Sequence, residues 1–240
     1  MGDLILSGGG SSKQNLKVYE FLVETIEKNK PILYIPLAGD AKYRPHHMSL
    51  DYIKSILEHL GVKEVTMWTD LNHRTLDELK CFSAIYFSGG STLTLLKTIK
   101  NSDFDNVLRQ YYDWGGTIFG QSAGAIIFGS DVTHTTKEKG ISGYNPLNLI
   151  HSNRLWCHYD HTDEELLCEY SKGEDNAFIA LSDGGAIHVT ESYRQVISKE
   201  AYKFKDGKKK ICNLCITLMI INTKMGGMLI INISISGLPE

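Results

Sequence analysis

The sequence predicts an α/β fold, a mostly parallel sheet with helices on both faces, and three observations predict it. Short apolar runs of strand length alternate with segments of helical spacing through the first 130 or so residues. Those runs are apolar throughout rather than alternating, as strands covered on both faces are. They are separated by helical segments, the crossovers that parallel strands require.

Taken in order, Leu4-Ile5-Leu6 is a short strand running into the glycine-rich turn Ser7 to Ser12. Leu16 to Ile26 has helical spacing at Leu16, Tyr19, Val23 and Ile26. Ile32 to Pro36 reads as a strand, Met48 to Leu60 as a helix closed by Gly61, Val65 to Trp68 as a strand and Thr75 to Leu79 as a short helix. Ala84 to Phe87 is a strand ending in Ser88-Gly89-Gly90, followed by a helix over Leu93 to Ile99 and another over Phe104 to Trp114. Thr117-Ile118-Phe119 is a buried strand, and a helix begins near Ser122. Beyond residue 130 the rhythm weakens, with Arg154 to Tyr159 and Phe178 to Leu181 as further strands. Residues 1–210 read as one α/β domain. After Lys208-Lys209-Lys210 the composition changes abruptly, and Ile211 to Ile221 and Met228 to Ile235 read as an apolar pair of strands around Gly226-Gly227.

Composition bounds the function. The chain has 240 residues, 42% hydrophobic and 22% charged, enough for a buried core and too apolar for a disordered chain. Lys+Arg 25 against Asp+Glu 28 leaves a net charge of -3 and no basic stripe to neutralise phosphates, so nucleic acid is not an expected partner. No apolar run reaches the roughly 20 residues that span a bilayer, so no membrane partner is expected either. Met1-Gly2-Asp3 carries an acid where a secretory leader has a basic region. Cys81, Cys157, Cys168, Cys212 and Cys215 are an odd, scattered set, unlike a disulfide framework. The expected compartment is the cytoplasm, as a monomer or homodimer. Cys212-Asn213-Leu214-Cys215 has no second pair at zinc spacing and reads as two small hydrophobes.

The strongest chemical signal is Gly120-Gln121-Ser122-Ala123-Gly124, a G-x-S-x-G between a strand and an apolar helix. A serine on such a sharp turn has its oxygen exposed, small neighbours allow the backbone to close, and a helix start favours negative charge. Serine needs a base, normally histidine oriented by a carboxylate. His134, His151, His158, His161 and His188 lie downstream, and His158 is favoured because it directly follows a predicted strand, at the carboxyl edge of the sheet. Asp183, after the strand Phe178 to Leu181, is the acid by the same reasoning, although Asp-Gly is also an ordinary turn. Backbone N–H groups near Gly89-Gly90 and at Ala123 would form an oxyanion hole. His158-Tyr159-Asp160-His161 is too sparse for a metal site, and neither Gly8-Gly9-Gly10 nor Gly89-Gly90 completes a phosphate-binding motif. No metal and no cofactor are expected.

These blocks together resemble the dipeptidase E family of aspartyl dipeptidases, with cyanophycinase as a more distant relative. The matching pieces are Ser88-Gly89-Gly90-Ser91-Thr92, Gly120-Gln121-Ser122-Ala123-Gly124-Ala125, His158-Tyr159 and Leu181-Ser182-Asp183-Gly184, over about residues 1–205. The resemblance implies a flavodoxin-like sheet of class I glutamine amidotransferase type. It implies a metal-free serine peptidase acting on short peptides, N-terminal Asp-Xaa dipeptides among them. Ser122 would be nucleophile, His158 base, Asp183 the carboxylate, and Gly90 and Ala123 the oxyanion donors. In the stretch after the histidine, where that family is thought to read aspartate with an arginine, His161 to Leu166 is acidic. A substrate carboxylate would then be met by His161 or by Arg44, Arg74 or Arg154. Three other readings stand beside this one: an α/β-hydrolase-type esterase or amidase using His188 after an acid such as Asp163, a non-catalytic binding protein, and an amidotransferase-type partner.

Overall fold

The computed structural model describes residues 1–135, 145–173, 175, 177–212 and 215–216. In chain order its elements are β1 (Asp3–Ser7), α1 (Leu16–Thr25), β2 (Ile32–Ile35), α2 (His46–His59), β3 (Val65–Met67), α3 (Leu76–Leu79), β4 (Ala84–Phe87), α4 (Thr92–Asn101), α5 (Phe104–Trp114), β5 (Thr117–Gln121) and α6 (Ala123–Ile126). They continue as β6 (Asn153–Cys157), α7 (Glu164–Tyr170), β7 (Ala177–Leu181), β8 (Ala186–Val189), β9 (Tyr193–Ile197), β10 (Ala201–Lys205), β11 (Lys208–Ile211) and β12 (Cys215–Ile216). No helix among the described residues is long and apolar enough to cross a membrane.

The main sheet has eight strands in the order β12-β9-β8-β1-β5-β4-β2-β3. Strands β1 to β5 pair in parallel, with Asp3 opposite Thr117 and Ser7 opposite Gln121. Strands β8, β9 and β12 extend the sheet antiparallel beyond β1. Alternation along each parallel strand builds two cores. Leu4, Leu6, Leu33, Ile35, Ile85, Phe87 and Ile118 face α4, α5 and the turns after α6. Ile5, Ile32, Tyr34, Ala84, Tyr86 and Phe119 face α1 and α2. Each fully buried aliphatic or aromatic side chain in these layers contributes roughly 1.5–3 kcal/mol.

The strands expected at Arg154 and Phe178 do not continue the main sheet. They belong to a second, four-stranded sheet in the order β11-β10-β7-β6. The reason is geometric: β8 pairs with β1, Leu4 opposite Val189, and so occupies the edge that β6 would need. The second sheet stacks instead. Leu155, Ile179 and Leu181 join the core that holds Leu4, Leu6 and Ile127, while Trp156, Phe178, Ala180 and Phe204 pack with Leu167 of α7. Lys208-Lys209-Lys210, read as a boundary, forms most of β11 and pairs with β10. Of the expected apolar terminal strands, only Ile211, Cys212 and β12 are described; residues 217–240 lie outside the described residues.

Candidate active site

Ser122 follows the last residue of β5 with φ 52° and ψ −114°, a conformation L-residues rarely adopt. Strain of this kind costs on the order of 1–3 kcal/mol and persists only where the surroundings impose it. Here the Ser122 N–H donates to the Ser7 carbonyl, and the Ser122 carbonyl accepts from the N–H groups of Ala125 and Ile126. The flanking glycines permit the tight turn by close approach: a Cβ at Gly120 would lie 2.4 Å from the Gly124 carbonyl oxygen, and one at Gly124 2.4 Å from that of Phe87. Helix α6 is a single turn of four residues. Its contribution is therefore the Ala123 N–H, left without an intrahelical acceptor, rather than an extended dipole. Gly89 and Gly90 line the same cleft, and a Cβ at Gly89 would sit 3.3 Å from the Ser122 Cβ.

His158 lies just beyond β6 and Asp183 just beyond β7, so both come from the second sheet rather than the carboxyl edge of the main one. The seam between the sheets closes on Ser122 nonetheless. The His158 backbone N–H donates to the Gly8 carbonyl at 2.9 Å. Its Nε2 is 2.7 Å from Ser122 Oγ, and its Nδ1 is 2.6 Å from Asp183 Oδ1. A carboxylate only accepts, so Nδ1–H donates to Asp183, which leaves Nε2 to accept the Ser122 hydroxyl proton. The His158 and Asp183 side chains are 56% and 40% exposed, so the pair orients the ring more than it stabilises the fold.

The glycine run after β1, weighed above only as a phosphate loop, is the cradle for these two side chains. At Gly9, φ is 107° and a Cβ would lie 2.3 Å from His158 Cε1. At Gly10 it would lie 2.9 Å from Asp183 Cβ. A buried polar pair holds the run: Ser7 Oγ donates to Asn15 Oδ1 at 2.8 Å, Asn15 Nδ2 donates to the Gly9 carbonyl at 2.8 Å, and the Gly9 N–H donates to Ser7 Oγ at 3.2 Å. Sequence reasoning missed Ser7 and Asn15; the available signal was two small polar residues bracketing three glycines. It also missed Gln121, whose Nε2 donates to the Gly10 carbonyl and whose Oε1 accepts from the Tyr86 hydroxyl. Tyr19 shares that chain. Burial pushes the Tyr19 phenol up to about 12 and raises Tyr86 well above the ordinary value, so both stay neutral.

The other candidates lie elsewhere. Cys157 is half-buried, its Sγ donating to the Ser7 and Ser122 carbonyls, and desolvation pushes its thiol up, away from thiolate chemistry. His188 is 3% exposed on β8, 2.7 Å from Asp3 Oδ1 and packed on Phe21 and Tyr193. Asp163 accepts from Trp156 Nε1 and the Asp160 N–H. The Ser, acid, His order of an α/β-hydrolase is therefore not assembled. His161 packs against Tyr159 and Tyr202, and His134 stacks on Trp156. Ser122, His158 and the two glycine turns open into a cleft of about 390 Å³ that also takes in Tyr34, Arg44, Ser49 and Tyr52.

A serine on a strained turn at the end of a parallel strand, facing a histidine, is an arrangement suited to serine-type hydrolysis, and comparison with known proteins gives the class: the chain is a serine-type peptidase of α/β fold. The model of peptidase family S51 matches residues 4–197, and the chain belongs to that family. It is 26% identical over 187 residues to a Peptidase E of Haemophilus influenzae, covering 73% of this chain and 84% of that protein. To a Peptidase E of Actinobacillus pleuropneumoniae it is 25% identical over 221 residues, covering 83% and 91% respectively. The crystal structure of a peptidase from an acI-B1 Actinobacterium superposes with a TM-score of 0.67 at 18% identity, over 90% of this chain and 97% of that one, a likeness of fold.

Proposed function

We propose that Ser122, His158 and Asp183 form the catalytic triad of a peptidase that cleaves short peptides through an acyl-enzyme, N-terminal Asp-Xaa dipeptides among its substrates. The observation that supports this best is the continuous hydrogen-bonded chain from Ser122 Oγ through the imidazole to Asp183. His158 takes the hydroxyl proton as Ser122 attacks the scissile carbonyl. The N–H groups of Gly90 and Ala123 hold the oxyanion, an effect for which one donor is worth about 2.7–4 kcal/mol. His158 then gives the proton to the departing amine, and water repeats the sequence on the ester. A cleft of about 390 Å³ with His158 in its wall suits a short peptide better than a folded protein. The names of the relatives, Peptidase E, are in keeping with it.

The test is fluorophosphonate labelling followed by mass spectrometry, with Ser122→Ala and His158→Ala as controls and a dipeptide panel that includes Asp-Xaa. Label on Ser122 that requires His158 is the expected result. Unlabelled Ser122 in folded protein, or full activity in Ser122→Ala, would return the cleft to a binding role.

A further inference from the structure

Peptide hydrolysis at Ser122 leaves open what holds the residue on the leaving side of the scissile bond. Gln121 ends β5, one residue before Ser122, and its side chain lines the cleft together with Gly9 and Gly10. Its Nε2 donates to the Gly10 carbonyl at 3.3 Å, and its Oε1 accepts from the Tyr86 hydroxyl. A carbonyl only accepts, so the amide nitrogen has to face Gly10 and the amide oxygen Tyr86. With its one proton given to Gln121, the Tyr86 hydroxyl accepts in turn from that of Tyr19, 3.2 Å away. The hydrogen bonds therefore run in one direction, from Tyr19 through Tyr86 and Gln121 to Gly10.

The anchorage is firm. Tyr86 is fully buried, its ring edge-on to those of Tyr34 and Phe119 at centroid distances of 5.3 and 4.5 Å. Burial keeps the Tyr19 and Tyr86 phenols neutral, so the direction of the chain is unchanged through the neutral pH range. A primary amide carries two N–H donors. Among the described residues only one of those on Gln121 has an acceptor, the Gly10 carbonyl. The second belongs to a fixed amide in the wall of the cleft.

Sheet order says which part of a substrate passes it. Strand β5 lies between β1 and β4. His158 reaches Ser122 from the β1 side, over Gly9, while Gly90 follows β4. The leaving amine must face His158, so the leaving residue runs over Gly9 and Gly10, which carry no side chain to obstruct it, and past the Gln121 amide. We propose that Gln121, held by Tyr86, donates its second N–H to the carbonyl or carboxylate oxygen of the leaving residue, and so selects peptides over amides of simple amines. This rests on the peptidase reading of the same cleft. The acceptor oxygen belongs to a free carboxylate in a dipeptide and to an amide carbonyl in a longer peptide.

The experiment measures kcat/KM for three substrates that share X, the acyl residue favoured by the dipeptide panel: X-Leu, X-Leu amide, and the isopentylamide of X, whose leaving amine is Leu stripped of its carboxyl group. Wild type is compared with Gln121→Met, which keeps the length without the donors, and Gln121→Glu, which keeps the acceptor for Tyr86 and loses the N–H. A charge-assisted hydrogen bond accounts for roughly 10- to 100-fold and a neutral one for roughly 3- to 10-fold. Both variants should lose the first amount on X-Leu and the second on X-Leu amide. Isopentylamide hydrolysis and fluorophosphonate labelling of Ser122 should stay within about threefold of wild type. Tyr86→Phe, which releases the amide but leaves it in place, should rank the substrates in the same order with smaller losses. A loss confined to X-Leu would keep the proposal and assign the acceptor to a terminal carboxylate. Equal losses on all three substrates with slowed labelling would make Gln121 a support of the Gly10 turn alone and overturn the proposal, as would unchanged kcat/KM throughout. Failure of the peptidase reading is separate: it shows as no label on Ser122 in the wild type.

Discussion

The two halves of the proposed triad are positioned by different physics. Ser122 is set locally, by a strained turn whose constraints lie within β5, α6 and the neighbouring strand ends. His158 and Asp183 arrive from a separate sheet with its own small core of Tyr159, Leu167, Phe178, Ala180 and Phe204, joined to the first across Gly8 to Gly10. Assembly of such a site is a docking event between layers, so damage to the second sheet should silence catalysis while sparing the Ser122 turn.

The largest break in this comparison comes from the residues themselves. His158→Ala should lower kcat by roughly 10⁴- to 10⁶-fold, and Asp183→Asn by up to about 10⁴-fold through loss of the productive tautomer; steady-state peptidase assays against Ser122→Ala check both. Next in size, Phe204→Ala empties the second sheet's core and should cost about 3–5 kcal/mol in urea unfolding. An equal loss of stability without accelerated loss of activity in mild urea would argue against docking as the control point. A Gly9→Ala substitution probes the seam directly: its Cβ would collide with the His158 ring at a backbone angle that favours glycine. Ångström-scale displacement costs on the order of 100-fold, so labelling of Ser122 should slow by about that factor in protein that still folds.

The smallest expected effect concerns the tether between the layers. Burial pushes the Asp131 carboxyl up, but hydrogen bonds from Thr133 and the charge of Arg154, on β6, outweigh it and hold it below the ordinary value. A carboxyl lowered in the folded state contributes stability above its unfolded pKa and loses it as pH falls through the folded one. Wild type should therefore exceed Asp131→Asn in stability by about 1 kcal/mol at pH 7, and the gap should close below about pH 4, near the unperturbed Asp value. Paired urea titrations at the two pH values measure it.

The same contrast explains what could be read from the chain. Helix α5, Phe104 to Trp114, and the parallel strands were legible because their burial is written in local periodicity. The Ser122 turn was legible because its small residues are contiguous. The second sheet was not, since pairing of β6 with β7 depends on β8 having taken the edge of β1. Strand β9, with Tyr193 to Val196 half-buried, and the lysine-rich β11 carry no uniform apolar run to detect. His158 and Asp183 could be singled out by their places after strands, yet the sheet that carries them could not. Arg44 was visible only as one arginine of several; its place in the cleft follows from three-dimensional packing.

Cys157 sits one residue from the proposed base, yet its half-buried thiol donates to the Ser7 and Ser122 carbonyls and is held in the neutral, weakly reactive form by desolvation. Reagent selectivity follows. Alkylating agents and mild peroxide should leave turnover intact, whereas electrophiles aimed at hydroxyls should stop it, so a thiol-rich or an oxidising medium alike would leave this enzyme working.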